Sequence, residues 1–204
     1  MSPKPDVSAE RKNQIVESAI AVFARRGLKE ATMDDIVAES GLSKGALYWY
    51  FKSKDEIVGA IVDYFFNLEL AGIRALPEAP GSARERLRQL TQLTIAEVRR
   101  VRPVIPVVYE FYSLAFRNKG VQKVLRRYLS AYLEILAPLV QQGIERGEFR
   151  SVDARQISIA LGAVLEGTLL LWAFNPKGFP LEAQLEAGLQ AILTGIEMPT
   201  RPSR

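Results

Sequence analysis

Hydrophobic residues recur at helical spacing along almost the whole chain of 204 residues. Between residues 9 and 26 the apolar positions Ile15, Ala19, Val22 and Phe23 fall on one face of a helix. Outside short apolar runs, no convincing segment alternates with the period of two that a half-buried strand requires. Turn residues interrupt the pattern at helix-length intervals. The pattern therefore predicts an all-α fold of about nine helices.

Capping signals divide these helices into a short-helix module and a bundle. Gly27 is expected to end the first helix, because glycine adopts the left-handed conformation of helix C-termini. Thr32 and Ser43 are predicted N-caps of two short helices. Ser53 and Ser82 each precede a glutamate by three residues, which is the capping-box spacing, at the start of longer helices. We expect a small N-terminal module at 9–54 and a second domain at 55–198, with no flexible linker between them.

Prolines and the chain end complete the predicted boundaries. Pro103 and Pro106 are expected to mark a helix start or a kink, and Pro138 is expected to kink a long helix. Asp153 is the predicted N-cap of an apolar helix that ends before Asn175. The last residues, 198–204, are expected to fray.

Residues 39–45, ESGLSKG, join the two short helices in the manner of a helix-turn-helix. Gly41 supplies a turn residue with positive φ, and Ser43 caps the second helix. Leu47 of that helix is expected to pack on the first helices with Ile36 and Val37. The N-terminal end of a recognition helix is the part that reaches base edges in the major groove. In this helix we expect that end to expose Ser43, Lys44, Gly45 and Ala46.

The row LYWYF at 47–51 follows directly. Leu47 and Phe51 are expected to anchor the helix to its module. Trp49 has two equal alternatives, packing on the following helix or touching DNA. The predicted phosphate contacts, which set register rather than sequence, come from the side chains of Tyr48, Tyr50, Lys52 and Lys54. Exposed N–H groups at the helix caps Thr32 and Ser53 are expected to add to them.

Residues 32–58, TMDDIVAESGLSKGALYWYFKSKDEIV, resemble the DNA-binding signature of the TetR/AcrR family of transcriptional regulators. The match covers about a quarter of the chain. The residues that carry it are Thr32, Ile36, Val37, Gly41, Leu42, Ser43, Gly45, Leu47, Tyr48, Tyr50, Phe51 and Lys54. The resemblance implies a TetR-like fold in which the remaining helices bind a small-molecule effector and form a homodimer.

A ligand pocket is therefore expected among the aromatic-rich helices that follow. Glu110 lies in an otherwise uncharged segment, so a burial partner is required: an internal arginine, or a cationic or polar ligand. Glu166 raises the same question, with the dimer interface as a third option. The candidate pocket residues are Phe66, Tyr109, Glu110, Tyr112, Phe116, Tyr132, Glu166 and Trp172.

The apolar region 157–174 is interpreted as a buried helix rather than a membrane span, because Glu166 interrupts it. One side is expected to face its own bundle and the other a second subunit. The last helix carries an apolar stripe that includes Leu181, Leu185 and Leu189. By the resemblance, the eighth and ninth helices form the dimer, which a palindromic operator requires.

Composition and charge narrow the classes of function that remain. The chain has no cysteine or histidine, a net charge of +4 and a pI near 9.4. We predict no catalytic residue, metal site or cofactor beyond an unknown apolar or aromatic effector. Without an apolar signal segment, the cytoplasm is the expected location. A ligand-released repressor is the favoured function. The alternatives are an activator, a regulator or architectural DNA-binding protein without a ligand, and an enzyme that uses Glu110 and Glu166.

Overall fold

The computed structural model describes residues 7–102 and 105–198. This part of the chain is almost entirely helical, as predicted, with a 3₁₀ turn at Leu76–Glu78. The nine helices in the described residues are α1 Val7–Glu30, α2 Met33–Ser40, α3 Lys44–Tyr50, α4 Lys54–Ile73, α5 Ala83–Val101, α6 Ile105–Ala115, α7 Lys119–Glu145, α8 Ala154–Phe174 and α9 Leu181–Ile196.

The helix starts follow the predicted caps. Thr32 and Asp35 form a complete capping box at α2. Ser43 Oγ accepts from an amide of α3, and Asp153 does the same for α8. At α4 the pairing is looser: Ser53 Oγ accepts from the Glu56 amide, but the Glu56 carboxylate reaches the amide of Lys52 instead of Ser53. Side-chain acceptors thus satisfy first-turn amides that a helix cannot pair itself.

Gly27 interrupts α1 rather than ending it. Its backbone has φ 76° and ψ 155°, a conformation open to glycine, and helical geometry resumes as far as Glu30. Pro106 lies in the first turn of α6, as expected for a helix start, whereas Pro103 and the segment 199–204 fall outside the described residues. Pro138 lies inside α7, and its predicted kink stays a prediction.

The chain forms two compact units whose boundary lies within α4. One unit comprises the described parts of Met1–Asn67 and Val101–Arg127, and the other those of Leu68–Arg100 and Tyr128–Arg204. This division differs from the predicted 9–54 and 55–198, because α6 and the start of α7 join the N-terminal unit. Phe66 packs edge-on against Phe111 at 6.0 Å, and Asp63 pairs with Arg127.

The first unit buries the residues that fix the helix-turn-helix. Ile36, Leu47 and Phe23 are at most 2% exposed, as expected for the contacts that hold α2 and α3 on α1. Phe51, which closes α3, is 3% exposed. Val37, predicted to point inward, is only half-buried.

The second unit buries the apolar stripe of α9. Leu181, Leu185 and Leu189 are at most 4% exposed within the single chain. Beside them, α5 and α9 are joined by the ion pairs Arg84–Glu197, Arg88–Glu186 and Arg99–Glu182. The stripe that was expected to face a second subunit therefore faces the protein's own core.

Helix α8 divides its apolar residues between two sides. Leu161 and Leu165 are buried, whereas Ile159, Leu171 and Phe174 are 50%, 56% and 82% exposed. Among the described residues, α8 is also the one helix whose length and composition would allow it to cross a membrane. A helix at a subunit interface has the same composition, so this finding alone assigns no membrane location.

Candidate functional site

The turn between α2 and α3 is held from both sides. Gly41 closes α2 with φ 65° and ψ 9°, the left-handed conformation that the sequence predicted. Gln14 of α1 donates from Nε2 to the carbonyl oxygen of Ser40 at 2.8 Å. The Ser40 hydroxyl accepts from the amide of Leu42 at 3.3 Å. These contacts hold α3 at a set angle, so that its first turn faces outward.

The first turn of α3 is small and open. Ser43 Oγ accepts from the amide of Ala46 at 3.1 Å, which leaves the hydroxyl proton available. Gly45 is exposed, and a Cβ added there would meet no atom within 4 Å. Small residues here let a helix end approach the floor of a groove closely. The predicted exposure holds for Ser43, Lys44 and Gly45, whereas Ala46 is half-buried.

Lys44 already has an anionic partner. Its Nζ lies 2.8 Å from Asp34 Oδ1 of α2, and the two side chains are 62% and 69% exposed. The hydrogen bond to Asp34 raises the pKa of Lys44 above its ordinary value. Because an exposed pair contributes little stability, a phosphate or a base edge could displace the carboxylate at small cost. Lys44 is therefore a cation held ready beside the exposed helix end.

The aromatic row divides between core and surface. Leu47 and Phe51 are buried, as predicted, and Tyr48 and Tyr50 are half-buried. Trp49 is 69% exposed and contacts the ring of Tyr50 edge-on at 4.6 Å. Of the two alternatives for Trp49, this exposure favours the one in which the indole is available to DNA.

Lys54 does not have the role that the sequence suggested. Its ammonium donates to three backbone carbonyls, those of Leu28 and Lys29 in the last turn of α1 and of Ala31 just after it, at 2.6, 3.2 and 2.9 Å. An ammonium has three N–H donors, so all of them are occupied. The predicted phosphate contact is thus replaced by a structural one, because carbonyls at a helix end need a donor.

Two further residues that were predicted to contact DNA phosphates, Lys52 and Thr32, differ in their surroundings. Lys52 is exposed, and its ammonium donates to the carbonyl of Tyr48 one turn back. Thr32 is exposed too, but its amide and hydroxyl both donate to the Asp35 carboxylate, whose pKa they lower. A phosphate at Thr32 would have to displace that carboxylate, so Lys52 remains the better candidate.

A second candidate site is a cavity of about 410 Å³ in the other unit. Apolar residues of α7 and α8 form most of its wall, and Thr94 of α5 contributes a hydroxyl. Four larger polar groups reach it, Glu69, Tyr128, Tyr132 and Glu166. Tyr132 and Glu166 were predicted from the sequence, and the structure brings them together. Volume and lining are those of a site for a small organic molecule.

The six other predicted pocket residues, Glu110 and five aromatic residues, are not among those that line this cavity. Phe66 is buried against Phe111, in the other unit. Tyr109 and Tyr112 contact each other edge-on at 6.0 Å and are half-buried. Trp172 is half-buried on α8, and Phe116 is 88% exposed after the end of α6. Aromatic content alone therefore overestimated the pocket.

The expectation of a buried Glu110 was wrong. Its side chain is exposed, because α6 buries the face that carries Val107, Phe111 and Ala115, and Glu110 lies off that face. An uncharged neighbourhood in sequence does not require burial when helical periodicity separates the two faces. Glu110 thus needs no burial partner and takes no part in the cavity.

Glu69 is the residue that the sequence analysis missed. Tyr128 donates its hydroxyl to Glu69 Oε2 at 3.0 Å. Burial, and next the charge of Glu166, raise the pKa of Glu69 to about 7, against the opposing effect of the Tyr128 hydrogen bond. Glu69 is the only charged residue in the segment 64–73. That signal, the same one that drew attention to Glu110, could have identified it.

Tyr132 is the second unusual group in the cavity. It is 5% exposed, and its buried hydroxyl has no hydrogen-bond partner. A Cβ added at Gly162 of α8 would lie 3.1 Å from the Tyr132 ring, so the glycine makes room for it. Burial, Glu69 and Glu166 raise the pKa of Tyr132 above its ordinary value. The phenol is therefore neutral and is able to donate or accept one further hydrogen bond.

Comparison with known proteins identifies the family. Residues 15–61 match the model of the bacterial regulatory proteins of the tetR family, and residues 83–196 match the C-terminal domain of the BetI-type transcriptional repressors. The chain belongs to the TetR family. An uncharacterised helix-turn-helix regulator of Bacillus subtilis, YfiR, is 32% identical over 155 residues, which cover 75% of this chain and 76% of that protein.

Solved structures have the same TetR-family fold at lower identity. A regulator from Pseudomonas aeruginosa has a TM-score of 0.79 at 24% identity and covers 95% of this chain and 92% of its own. A regulator from Saccharomonospora viridis in complex with choline has a TM-score of 0.80 at 22% identity, with coverage of 94% and 100%. FadR from Bacillus subtilis in complex with stearoyl-CoA has a TM-score of 0.76 at 22% identity, and the match covers 91% of this chain and 99% of FadR.

Family membership settles the class of function. TetR-family proteins are DNA-binding transcriptional regulators and not enzymes, and this chain is one of them. The first family match contains α2, α3 and the turn between them. The second contains most of the cavity wall. The two candidate sites therefore fall in the two parts of a TetR-family regulator.

Proposed function

We propose that this TetR-family regulator is a cytoplasmic homodimer that represses transcription from a palindromic operator and leaves the DNA when a small molecule enters its cavity. The observation that carries the proposal is the open first turn of α3, with Lys44 poised beside it. The exposed apolar side of α8 and the cavity beside Tyr132 support the dimer and the ligand response.

Base reading is assigned to the exposed end of α3. Gly45 and Ala46 allow close approach, and the Ser43 hydroxyl and the Lys44 ammonium can donate to base edges. Tyr48, Tyr50 and Lys52 would donate to phosphate oxygens and fix the register. Trp49, exposed next to them, would add apolar contact with sugar or base. Lys54 has no place in this interface, because its donors are used within the protein.

The dimer is assigned to α8 and α9, with a changed reason for α9. On α8 the exposed apolar residues Ile159, Leu171 and Phe174 are expected to be covered by the same residues of a second subunit. On α9 the outward positions four apart are the small residues Ala183, Ala187 and Ala191. Small side chains allow helices to approach closely. In the proposed dimer α9 therefore permits close packing, and α8 supplies the apolar surface that is buried.

Release from DNA is assigned to α4. This helix begins at Lys54, in the DNA-binding unit, and carries Glu69 of the cavity near its other end. A ligand that prefers one position of the Glu69 end would shift the positions available to the helix-turn-helix. The coupling equals the difference in ligand affinity between the two states. Neighbouring structures with choline and with stearoyl-CoA indicate that this fold accepts chemically different ligands.

The DNA-binding assignment is tested with an operator duplex recovered by selection from random-sequence DNA. Lys44→Ala and Tyr48→Ala are expected to weaken binding by about ten-fold or more each, the usual cost of a lost base or charged phosphate contact. Lys123→Ala, which removes an exposed lysine of α7, is the charge-matched control. Equal affinity of all four proteins in a fluorescence anisotropy titration would overturn the assignment of α3.

A further inference from the structure

Most polar groups that line the cavity already have partners within the protein. Tyr128 donates its hydroxyl to Glu69 Oε2 at 3.0 Å, and the Thr94 hydroxyl donates to a backbone carbonyl one turn back at 3.0 Å. Glu166 has further interactions within the protein. The hydroxyl of Tyr132 differs, because among the described residues of this lining it is the buried side-chain atom without a hydrogen-bond partner. It is therefore the group to which a ligand can add a hydrogen bond.

Gly162 of α8 leaves room beside this hydroxyl. A Cβ added there would lie 3.1 Å from the Tyr132 ring and 3.6 Å from its hydroxyl oxygen, and Gly162 itself lines the cavity. Glycine within a helix costs stability relative to alanine, and at this position the missing methyl group keeps one side of the hydroxyl uncovered. A buried polar atom without a partner also costs free energy and is rare in native proteins. The polar head of a ligand would remove that second cost.

The surroundings of the hydroxyl disfavour a charged head. The wall is formed mostly by apolar residues of α7 and α8, among them Leu133 and Leu165, and the described lining includes no lysine or arginine that could pair with a carboxylate. Burial is the largest cause of the raised pKa of Glu69, which is about 7. The loss of solvation that keeps a proton on this carboxyl would act on any charge that a ligand brings. An uncharged head avoids this cost.

The rest of the wall suits an apolar body of moderate size. The cavity volume of about 410 Å³ is in the range of sites for small organic molecules. Leu129 of α7 and Ile159 of α8 line the cavity and are 47% and 50% exposed in the single chain, whereas Tyr132 is 5% exposed. The cavity therefore has a deeper end with a hydroxyl and an outer end that is apolar. A ligand with one polar and one apolar end matches this arrangement.

We propose that the effector is an uncharged organic molecule whose one hydrogen-bonding head binds the Tyr132 hydroxyl and whose apolar body packs on α7 and α8 around Leu129 and Ile159. Tyr132 then selects ligands by their head, because a purely apolar molecule leaves its hydroxyl unpaired and a charged one loses its solvation. The inference relies on the proposed function only for the link between ligand binding and release of DNA.

Four probes with one apolar body test the choice of head. They are 4-tert-butylbenzyl alcohol, 1-tert-butyl-4-ethylbenzene, which has a methyl group in place of the hydroxyl, 4-tert-butylbenzoate and (4-tert-butylbenzyl)trimethylammonium. Calorimetry with the full-length protein at neutral pH measures the alcohol and the two ions, and displacement of the alcohol measures the hydrocarbon. The alcohol should bind about ten-fold or more tightly than either ion. Tighter binding of an ion than of the alcohol would overturn the proposal.

Tyr132→Phe isolates the hydrogen bond, because it removes the hydroxyl and keeps the ring. Its affinity for the alcohol should fall by about five-fold relative to its affinity for the hydrocarbon, which is the usual worth of one hydrogen bond. Tyr64→Phe removes a hydroxyl from a half-buried tyrosine of α4 that is not part of the cavity lining, and it should change neither affinity. An unchanged ratio of the two affinities in Tyr132→Phe would contradict the assignment of the head to this hydroxyl.

The stability of the ligand-free protein gives a second readout. No described residue forms a hydrogen bond with the Tyr132 hydroxyl, so Tyr132→Phe should melt at the same temperature as the unmodified protein or higher. Loss of a structural hydrogen bond would instead lower the melting temperature by several degrees. Such a decrease would mean that the hydroxyl serves the fold rather than a ligand, and the proposal would be wrong.

Failure of this inference can be told from failure of the proposed function. If the alcohol binds with the expected dependence on Tyr132 and the selected operator stays bound, recognition of an uncharged head stands and ligand-released repression is contradicted. If an ion binds more tightly than the alcohol and releases the operator, the cavity is an effector site for another class of ligand and the inference is contradicted. If none of the four probes binds, both the inference and the effector role of the cavity are contradicted.

Discussion

The helix-turn-helix and the cavity satisfy their polar groups in opposite ways. Around α2 and α3, acidic residues are used locally: Asp35 completes a capping box and Asp34 pairs with Lys44. In the cavity, Glu69 is left with a raised pKa and Tyr132 with an unpartnered hydroxyl. A surface that reads DNA must be rigid before DNA arrives, whereas a sensor gains from groups that a ligand completes. The two regions are therefore expected to respond differently to substitution.

The largest effect should come from Gly45→Glu. The added side chain has open space, so the fold should be unchanged, but it puts bulk and negative charge where the helix end meets DNA. We expect a loss in operator affinity of about a hundred-fold or more, from lost contacts and repulsion of phosphates. Anisotropy titration measures it, and an unchanged melting temperature shows that the fold is intact. Retained affinity would mean that α3 does not face DNA.

The cavity should show a stability effect that depends on pH. Because the pKa of Glu69 is raised to about 7, the folded protein keeps a proton there that the unfolded chain loses above its ordinary value of 4.5. Stability relative to Glu69→Gln should therefore fall by up to about 3 kcal/mol between those pH values and stay level above 7. Urea titrations across this range measure it. Parallel curves for the two proteins would contradict the buried, neutral carboxyl.

Two lysines close in sequence test the division between structure and interface. Lys54→Met removes three hydrogen bonds to α1 carbonyls and should lower the free energy of unfolding by about 2 kcal/mol. Lys52→Met should leave stability unchanged but weaken operator binding and reduce its salt dependence. Chemical denaturation and salt-dependent titrations distinguish the two. If Lys52→Met is the destabilised variant and Lys54→Met is not, the assignments are reversed.

The smallest effect is expected at Asp34. Asp34→Asn frees Lys44 from its ion pair and removes a negative charge beside the DNA, so operator affinity should rise by about threefold. Glu17→Gln, an exposed charge removal on α1, is the control for general electrostatics. Operator titrations at two salt concentrations measure both. A weaker complex in Asp34→Asn would show that the ion pair positions Lys44 rather than competing for it.

Features held by contacts between residues close together in the chain could be predicted from the sequence, and features held by distant contacts could not. The helix-turn-helix depends on residues near each other in the chain, such as Thr32 with Asp35 and the turn glycine Gly41, so its fold could be predicted. Lys54 could not be, because the carbonyls that its ammonium contacts come from α1, more than 20 residues away. The sequence around a lysine in a basic, DNA-binding motif does not show whether its ammonium donates to a phosphate or to backbone carbonyls of its own chain.

The cavity depends on which helix faces meet, and that was harder to predict. Glu69 and Glu110 are both single charges in apolar helices, yet only Glu69 lies at a cavity. Their helical neighbours distinguish them, because Glu69 has the buried Phe66 three residues before it and the buried Ile73 four residues after it, whereas Glu110 has the exposed Pro106 four residues before it and the exposed Ser113 three residues after it. The stripe of α9 was identified as apolar, but its pattern does not say whether the same chain or a second subunit covers it.

The most direct test of the account joins its two regions in one titration. Full-length protein is bound to a labelled operator duplex from selection, and a small organic compound that calorimetry shows to fill the cavity is added while anisotropy is recorded. The account predicts release of the duplex, at a changed ligand concentration for Glu69→Gln, which alters the cavity wall, and at the unmodified concentration for Glu134→Gln, which removes an exposed carboxylate of α7. An operator that stays bound at concentrations where calorimetry shows the cavity filled would contradict it.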